Sequence, residues 1–250
     1  MLSDTLLELK SEPIVTYTGN RFMLPAETQK AVDEYWNGLM AEGKRYTRGE
    51  VFTISGIEER GGEVRVAVDL SDYAHYVYTR RVGLPEKYAC KNIHTSCLIE
   101  AADDVLVFGR MAEHTSDPGN IQCVGGGLDF EDVRENAIDM KHGIGRELRE
   151  EVGIESEDRK AVLRLDAGYL RYDSGIHSIA VIFLLKLRLT AAEFAEHYAR
   201  FEAELIEKGE VPEFGSLIYL PKGSVSEFLV SGPGKFDHYM RPLLGRVSVL

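Results

Sequence analysis

The segment of residues 146–153, with the sequence RELREEVG, constrains the fold more than any other part of this chain. Its three glutamates, Glu147, Glu150 and Glu151, are spaced i, i+3 and i+4. On a helix they fall within an arc of roughly 100°. Leu148 and Val152 lie four residues apart on another face. The spacing predicts a helix over residues 140–152, packed on a core by one side and presenting carboxylates on the other.

Three carboxylates on one helical stripe repel one another, by a few tenths of a kcal/mol for each pair. A hard cation such as Mg²⁺ or Mn²⁺, which prefers oxygen ligands, would offset this repulsion. Upstream, Gly125, Gly126 and Gly127 follow a predicted strand, and glycine lets a backbone approach a ligand closely. The simpler alternatives are a solvated helix face and an ordinary loop. Composition alone favours those alternatives, so the order of the residues has to decide.

Residues 146–154 match the second half of the Nudix box, Arg-Glu-aliphatic-any-Glu-Glu-any-Gly-aliphatic, at every position. The chain therefore resembles Nudix hydrolases over roughly residues 92–230. The resemblance implies an α/β (α+β) fold, a Nudix-type α/β/α sandwich around a mixed sheet. It also implies metal-dependent hydrolysis of a phosphoanhydride bond in a nucleoside diphosphate linked to another group.

The resemblance also implies roles for individual residues. Glu147, Glu150, Glu151 and the carbonyl of Gly127 are the implied ligands of Mg²⁺ or Mn²⁺. Glu147 is a candidate for activating water, and Arg146 is the implied catalytic residue that pairs with and orients the glutamates. Gly126 is a candidate for binding substrate through its backbone.

The first half of the box departs from the family pattern. The family expects a glutamate where Val133 or Ile138 stands, and the spacing from Gly127 to Arg146 is longer by about five residues. The carboxylate that is missing could come from Glu131, Asp132 or Glu135. For each of these three, an exposed acidic residue in a loop is the simpler interpretation.

Nudix enzymes often take a general base from a late loop. Glu210 and Glu213 are in the corresponding region, although a solvated loop is the simpler interpretation of each. His177 could contact substrate, but a structural histidine is the simpler interpretation.

A distant resemblance to atypical Nudix proteins that hydrolyse UDP-glucose and UDP-galactose suggests a nucleotide sugar. Tyr73, Tyr76 and Tyr78 could line its site or could equally pack in the core.

Periodicity predicts the remaining organisation. Residues 1–90 are expected to form a small N-terminal α+β domain and residues 91–250 the Nudix hydrolase domain. The front part should contain a helix over 26–42 and a hairpin of 51–57 with 63–70. Later strands are expected over 94–100, 105–110, 120–124, 161–172, 177–189 and 217–220. Further helices are expected over 190–208, 224–230 and 236–244.

Charge and cysteine usage limit the partners. The chain has 29 basic and 41 acidic residues, a formal net charge of −12, so neither nucleic acid nor an anionic membrane is an expected partner. The three cysteines have no metal-site spacing, which indicates buried free thiols in a cytoplasmic protein. A small-molecule substrate is expected, and a homodimer is left open.

A second class of function also fits the sequence. Because the first half of the box is altered, the domain could be an inactive Nudix module that senses a nucleotide metabolite. The intact set of three glutamates favours the enzyme.

Overall fold

A computed structural model describes residues 6–44, 46–175, 177–232 and 234–248. The strands are β1 Leu6–Glu8, β2 Ile14–Arg21, β3 Glu50–Arg60, β4 Glu63–Asp72, β5 Asn92–Glu100, β6 Val105–Met111, β7 Asn120–Gln122, β8 Val133–Arg134, β9 Ala137–Ile138, β10 Val162–Asp173, β11 Ser178–Leu187, β12 Phe214–Pro221 and β13 Lys235–Phe236. The helices are α1 Ala26–Ala41, α2 Tyr73–Arg81, α3 Met140–Val152, α4 Ala191–Glu207, α5 Val225–Ser231 and α6 Met240–Val247.

The strands of the described residues join in one mixed sheet. Along its main path the order is β1-β10-β11-β5-β3-β4-β2-β9-β8, and β6 connects β5 to β7 and β12. Strand β11 is antiparallel to β10 and parallel to β5, so it is a central strand. Its nearly continuous apolar sequence predicts this position, since a strand covered on both faces needs apolar side chains on both.

Side chains of the central strands alternate between two hydrophobic clusters. On β11, Val181 and Phe183 face the cluster that contains α3 and α4, whereas Ala180 and Ile182 face the cluster that contains α5 and α6. This period of two follows from strand geometry. Helices therefore cover both faces of the sheet, and the predicted α/β/α sandwich is confirmed.

The front part of the chain contributes to the same sheet. Strand β3 pairs with β5 through Thr53 and Asn92, and the core around α3 includes Phe52 and Val68. Helices α1 and α2 form a smaller cluster of their own around Trp36. The domain division at residue 90 stays a prediction, while the main hydrophobic core is shared across it.

Local signals define the ends of α3. The side chain of Asp139 accepts a hydrogen bond from the backbone N–H of His142 at 2.9 Å, which caps the first turn. Gly153 ends the helix with φ of 69°, a left-handed conformation that glycine adopts at low cost. Ile144, Leu148 and Val152 are fully buried, so one face of α3 is fixed on the sheet as predicted.

None of the helices in the described ranges combines the length and the apolar character needed to cross a bilayer.

Candidate active site

Two glutamates of α3 lie directly against the glycine segment Gly125–Gly127. The backbone N–H of Gly125 donates to Oε2 of Glu151 at 3.1 Å. A Cβ added at Gly126 would lie 2.5 Å from Oε1 of Glu147, so only glycine leaves room for that carboxylate. Glu147 and Glu151 are 9% and 5% exposed. The predicted proximity of glutamates and glycines is thus present for these two side chains.

The environment of this pair raises the pKa of both carboxyl groups. Burial, opposed by Arg146 and reinforced by Glu150 and Glu213, raises the pKa of Glu147 to about 7. Burial and the nearby carboxylates of Glu213 and Glu147 raise the pKa of Glu151 well above its usual range. A bound cation would lower both pKa values, because opposite charge stabilises a carboxylate.

Glu150 occupies a different environment on the same helix. Its side chain is 53% exposed, and its oxygens lie 3.5 Å from Nη1 of Arg146 and 3.8 Å from Nη2 of Arg149. The structure therefore places it at the rim of the site, beside the arginine.

Arg146 connects the helix to the glycine segment. Its Nη1 donates to Oε1 of Glu147 at 2.8 Å, and its Nη2 donates to the carbonyl of Gly127 at 3.1 Å. The same Nη2 lies 3.4 Å from Oδ2 of Asp132. These contacts hold the Glu147 carboxylate and the Gly127 carbonyl in one orientation.

Asp132 corrects the interpretation of the acidic loop. An exposed side chain was the simpler expectation, but Asp132 is fully buried and contacts both Arg146 and Nδ1 of His142, the latter at 2.8 Å. It also closes a capping box by accepting from the backbone N–H of Asp129. Glu131 is 61% exposed and 3.8 Å from Arg146, and Glu135 is exposed. Among the three candidates, Asp132 is therefore the carboxylate that the fold turns inward.

Glu213 joins this group from another part of the chain. It directly precedes β12, and its backbone carbonyl accepts from the N–H of Ala112 at 2.8 Å. Its carboxylate is close enough to Glu151 to raise the pKa of that residue. The predicted alternative, Glu210, is exposed after the end of α4. A carboxylate from the late loop thus reaches the α3 glutamates.

A cavity of about 510 Å³ opens beside these residues. Its wall includes Glu213 and all three glycines, whereas Glu147 and Glu151 contact the glycines without lining it. Tyr73 and Tyr76, two of the three tyrosines singled out in the sequence, line the cavity, and Tyr78 instead packs edge-on against Tyr35. The volume is within the range of small-molecule sites.

Other lining residues carried no signal in the sequence. His94 at the start of β5, Asn120 on β7, and Asp237 and His238 after β13 come together at the cavity wall. Residues 236–244 were expected to be a helix, but the helix begins at Met240 and leaves Asp237 and His238 in a connecting loop. His177 does not line the cavity, although its backbone carbonyl accepts from the N–H of Asn92.

Within the described ranges, no group of three or more His, Cys, Asp or Glu side chains forms a ready-made metal cluster. The donor set nevertheless suits a hard cation, because two buried carboxylates and Glu213 share one site and two of them have raised pKa values.

No protein-family model and no curated protein matches the chain. Among solved structures it is similar to the Nudix hydrolase RenU from M. smegmatis, with 10% identity over 63% of this chain and 83% of that one and a TM-score of 0.40. The Nudix domain of Shewanella oneidensis NrtR, solved with ADP ribose, has 13% identity over 71% of this chain and 99% of its own, with a TM-score of 0.38. The MutT protein from Methanosarcina mazei has 13% identity, coverage of 62% and 90%, and a TM-score of 0.35.

The chain is similar to Nudix proteins.

Proposed function

We propose that this chain hydrolyses a phosphoanhydride bond in a nucleoside diphosphate linked to another group, with Mg²⁺ or Mn²⁺ as cofactor. One observation carries the proposal. Two buried α3 glutamates and Glu213 converge on the glycine segment, beside a cavity large enough for such a ligand. The substrate is a free small molecule, since a net charge of −12 disfavours nucleic acid.

The cation would be held by Glu147, Glu150, Glu151 and the carbonyl of Gly127. When bound, it supplies positive charge that neutralises the linked phosphates and lowers the pKa of a bound water. The backbone N–H of Gly126, which lines the cavity, would donate to a phosphate oxygen.

The remaining chemistry belongs to the side chains. In hydrolysis, a water oxygen forms a bond to phosphorus, the bond to the leaving phosphate breaks, and a carboxylate takes the proton of the water. Glu213 is the proposed base because it lines the cavity. Glu147 is the second candidate because its carboxylate lies against Gly126, which lines the cavity. Arg146 orients Glu147, and Asp132 in turn positions Arg146.

The test is turnover with and without the cation. The protein is incubated with UDP-glucose, ADP-ribose and dinucleoside polyphosphates, in Mg²⁺, in Mn²⁺ and in EDTA, and the released phosphate esters are measured. Hydrolysis of at least one compound that EDTA abolishes is expected. Glu151→Gln should abolish it, whereas Glu155→Gln, an exposed residue beyond the helix, should not. Turnover that survives Glu151→Gln would contradict the metal assignment.

A second candidate, a sensor that binds a nucleotide metabolite without cleaving it, has one observation in its favour. Arg146 already contacts Glu147 and the Gly127 carbonyl, so part of the negative charge is neutralised without a metal. Binding of a nucleotide in EDTA, together with no turnover of any compound, would support the sensor.

A further inference from the structure

A cluster of polar side chains on the cavity wall is not used by the chemistry described above. His94, Asn120, Asp237 and His238, here called the polar cluster, come from three separate segments of the chain. The cluster begins beside the glycine segment, because His94 forms a β-bridge with Gly127. The rings of His94 and His238 are 6.0 Å apart between centroids.

Internal contacts fix the orientation of each group. Nδ1 of His238 lies 2.6 Å from Oδ1 of Asp237. Nδ2 of Asn120 donates to Oε1 of Gln122 at 3.2 Å and to Oδ2 of Asp237 at 3.4 Å. The amide nitrogen of Asn120 is assigned by these two acceptors, since its oxygen would face a carboxylate if the amide were flipped. Tyr239 packs edge-on against the His238 ring, which holds it in place.

Three buried atoms of the cluster are left without a hydrogen-bond partner among the described residues: Oδ1 of Asn120, Oδ1 of Asp237 and Nε2 of His238. Asn120 is 2% exposed and the His238 side chain 13%. Buried polar atoms are nearly always paired in native proteins. Three unpaired polar atoms at one cavity wall therefore point to a ligand.

The chemistry of these atoms restricts the ligand. The side-chain oxygens of Asn120 and of the Asp237 carboxylate accept hydrogen bonds and do not donate them. Phosphate oxygens are acceptors as well, so an additional phosphate would satisfy neither of these oxygens and would be repelled by Asp237. Hydroxyl groups donate, and several hydroxyls on one ring would match several acceptors.

We propose that the polar cluster binds the group linked to the diphosphate, and that this group is a polyhydroxylated ring such as a glycosyl or ribosyl unit. The inference rests on the function proposed above and assigns residues to the part of the substrate that the Nudix motif does not touch. Tyr73, Tyr76 and Phe236 line the same cavity and offer aromatic faces to a ring. Cations are also present, but Lys235 is paired with Asp117 at 2.8 Å and Arg80 is exposed.

The experiment compares three kinds of linked group on one nucleoside. The probes are UDP-glucose and ADP-ribose, the methyl esters of UDP and ADP, and the triphosphates UTP and ATP. For each probe, kcat/KM is measured in Mg²⁺ and Kd is measured by calorimetric titration in EDTA. The proteins compared are the wild type, His238→Phe and the matched control His114→Phe, which changes an exposed histidine outside the cavity. His238→Phe keeps a ring in the packing and removes the ring nitrogens, including the unpaired Nε2.

The wild type is expected to prefer a sugar-linked probe over its methyl ester. His238→Phe should weaken that probe about tenfold, as expected for one lost hydrogen bond in a buried site, and leave the methyl ester unchanged. If His238→Phe does not fold, Asp237→Asn, which keeps the shape, should show the same selectivity loss. Equal losses for both probes, a preference for the triphosphate, or no binding of the sugar-linked probes would overturn the inference. Selective binding without any turnover would support the polar cluster and refute the hydrolase instead.

Discussion

Replacing Glu147 with Gln should make the stability of the metal-free protein much less sensitive to pH. Burial, opposed by Arg146, raises the pKa of Glu147 from 4.5 to about 7. A group with a higher pKa in the folded state than in the unfolded state stabilises the fold fully below pH 4.5, and this contribution is lost as the pH rises through 7. At about 1.4 kcal/mol per pH unit, the loss between pH 5 and pH 8 is about 2–3 kcal/mol.

The assay is urea unfolding in EDTA at several pH values, followed by circular dichroism. Between pH 5 and pH 8, the free energy of unfolding of the wild type should fall by about 2–3 kcal/mol relative to Glu147→Gln. Glu155→Gln, an exposed substitution, should follow the wild type. Adding Mg²⁺ at pH 8 should stabilise the wild type, by about 2.7 kcal/mol at a hundredfold excess over Kd, and leave Glu147→Gln unchanged. Parallel curves for the wild type and Glu147→Gln would refute the reasoning.

Three further substitutions test the site. Gly126→Ala places a Cβ 2.5 Å from a glutamate oxygen and should lower kcat by about 10²-fold. Gly38→Ala, in α1 outside the cavity and with no atom within 4 Å of its added Cβ, should leave steady-state kinetics unchanged. Glu213→Gln should lower kcat by about 10²- to 10⁴-fold with little effect on KM, while Glu210→Gln should match the wild type; equal kcat values for the two would remove Glu213 as the base. Asp132→Asn should lower the free energy of unfolding by about 3 kcal/mol in a urea titration, because it breaks a buried ion pair, and an unchanged midpoint would contradict that role.

The elements that the sequence predicts well are those with a strong local period. Helix α3 begins and ends where its caps and apolar spacing indicate, and α4 begins at the capping box of Thr190 and Glu193. The apolar stretch in β11 likewise identifies a central strand from adjacent residues alone. In each of these elements, the pattern that predicts the structure lies within the element itself.

The features that escaped prediction depend on contacts between distant segments. Strand β13 has only two residues, and its partner β7 is distant in the sequence. The local pattern therefore favours a helix over residues 236–244 and does not indicate the strand. Helix α2 is rich in tyrosine and has little apolar periodicity.

The candidate site follows the same rule. Its helix and glycines are visible in the sequence because they form a contiguous motif. Asp132 is buried only because a loop capping box turns it towards Arg146, and Glu213 reaches Glu151 only because β12 pairs with β6. Neither fact is encoded by spacing along the chain.

Part of the cavity wall comes from residues before the Nudix motif, including Phe52, Tyr73 and Tyr76. Substitutions in these early residues are therefore expected to change which compounds bind in the cavity without altering the carboxylates on α3. Diversification among relatives of this chain is then expected first in those early strands and in α2, and engineering of new selectivity should begin there.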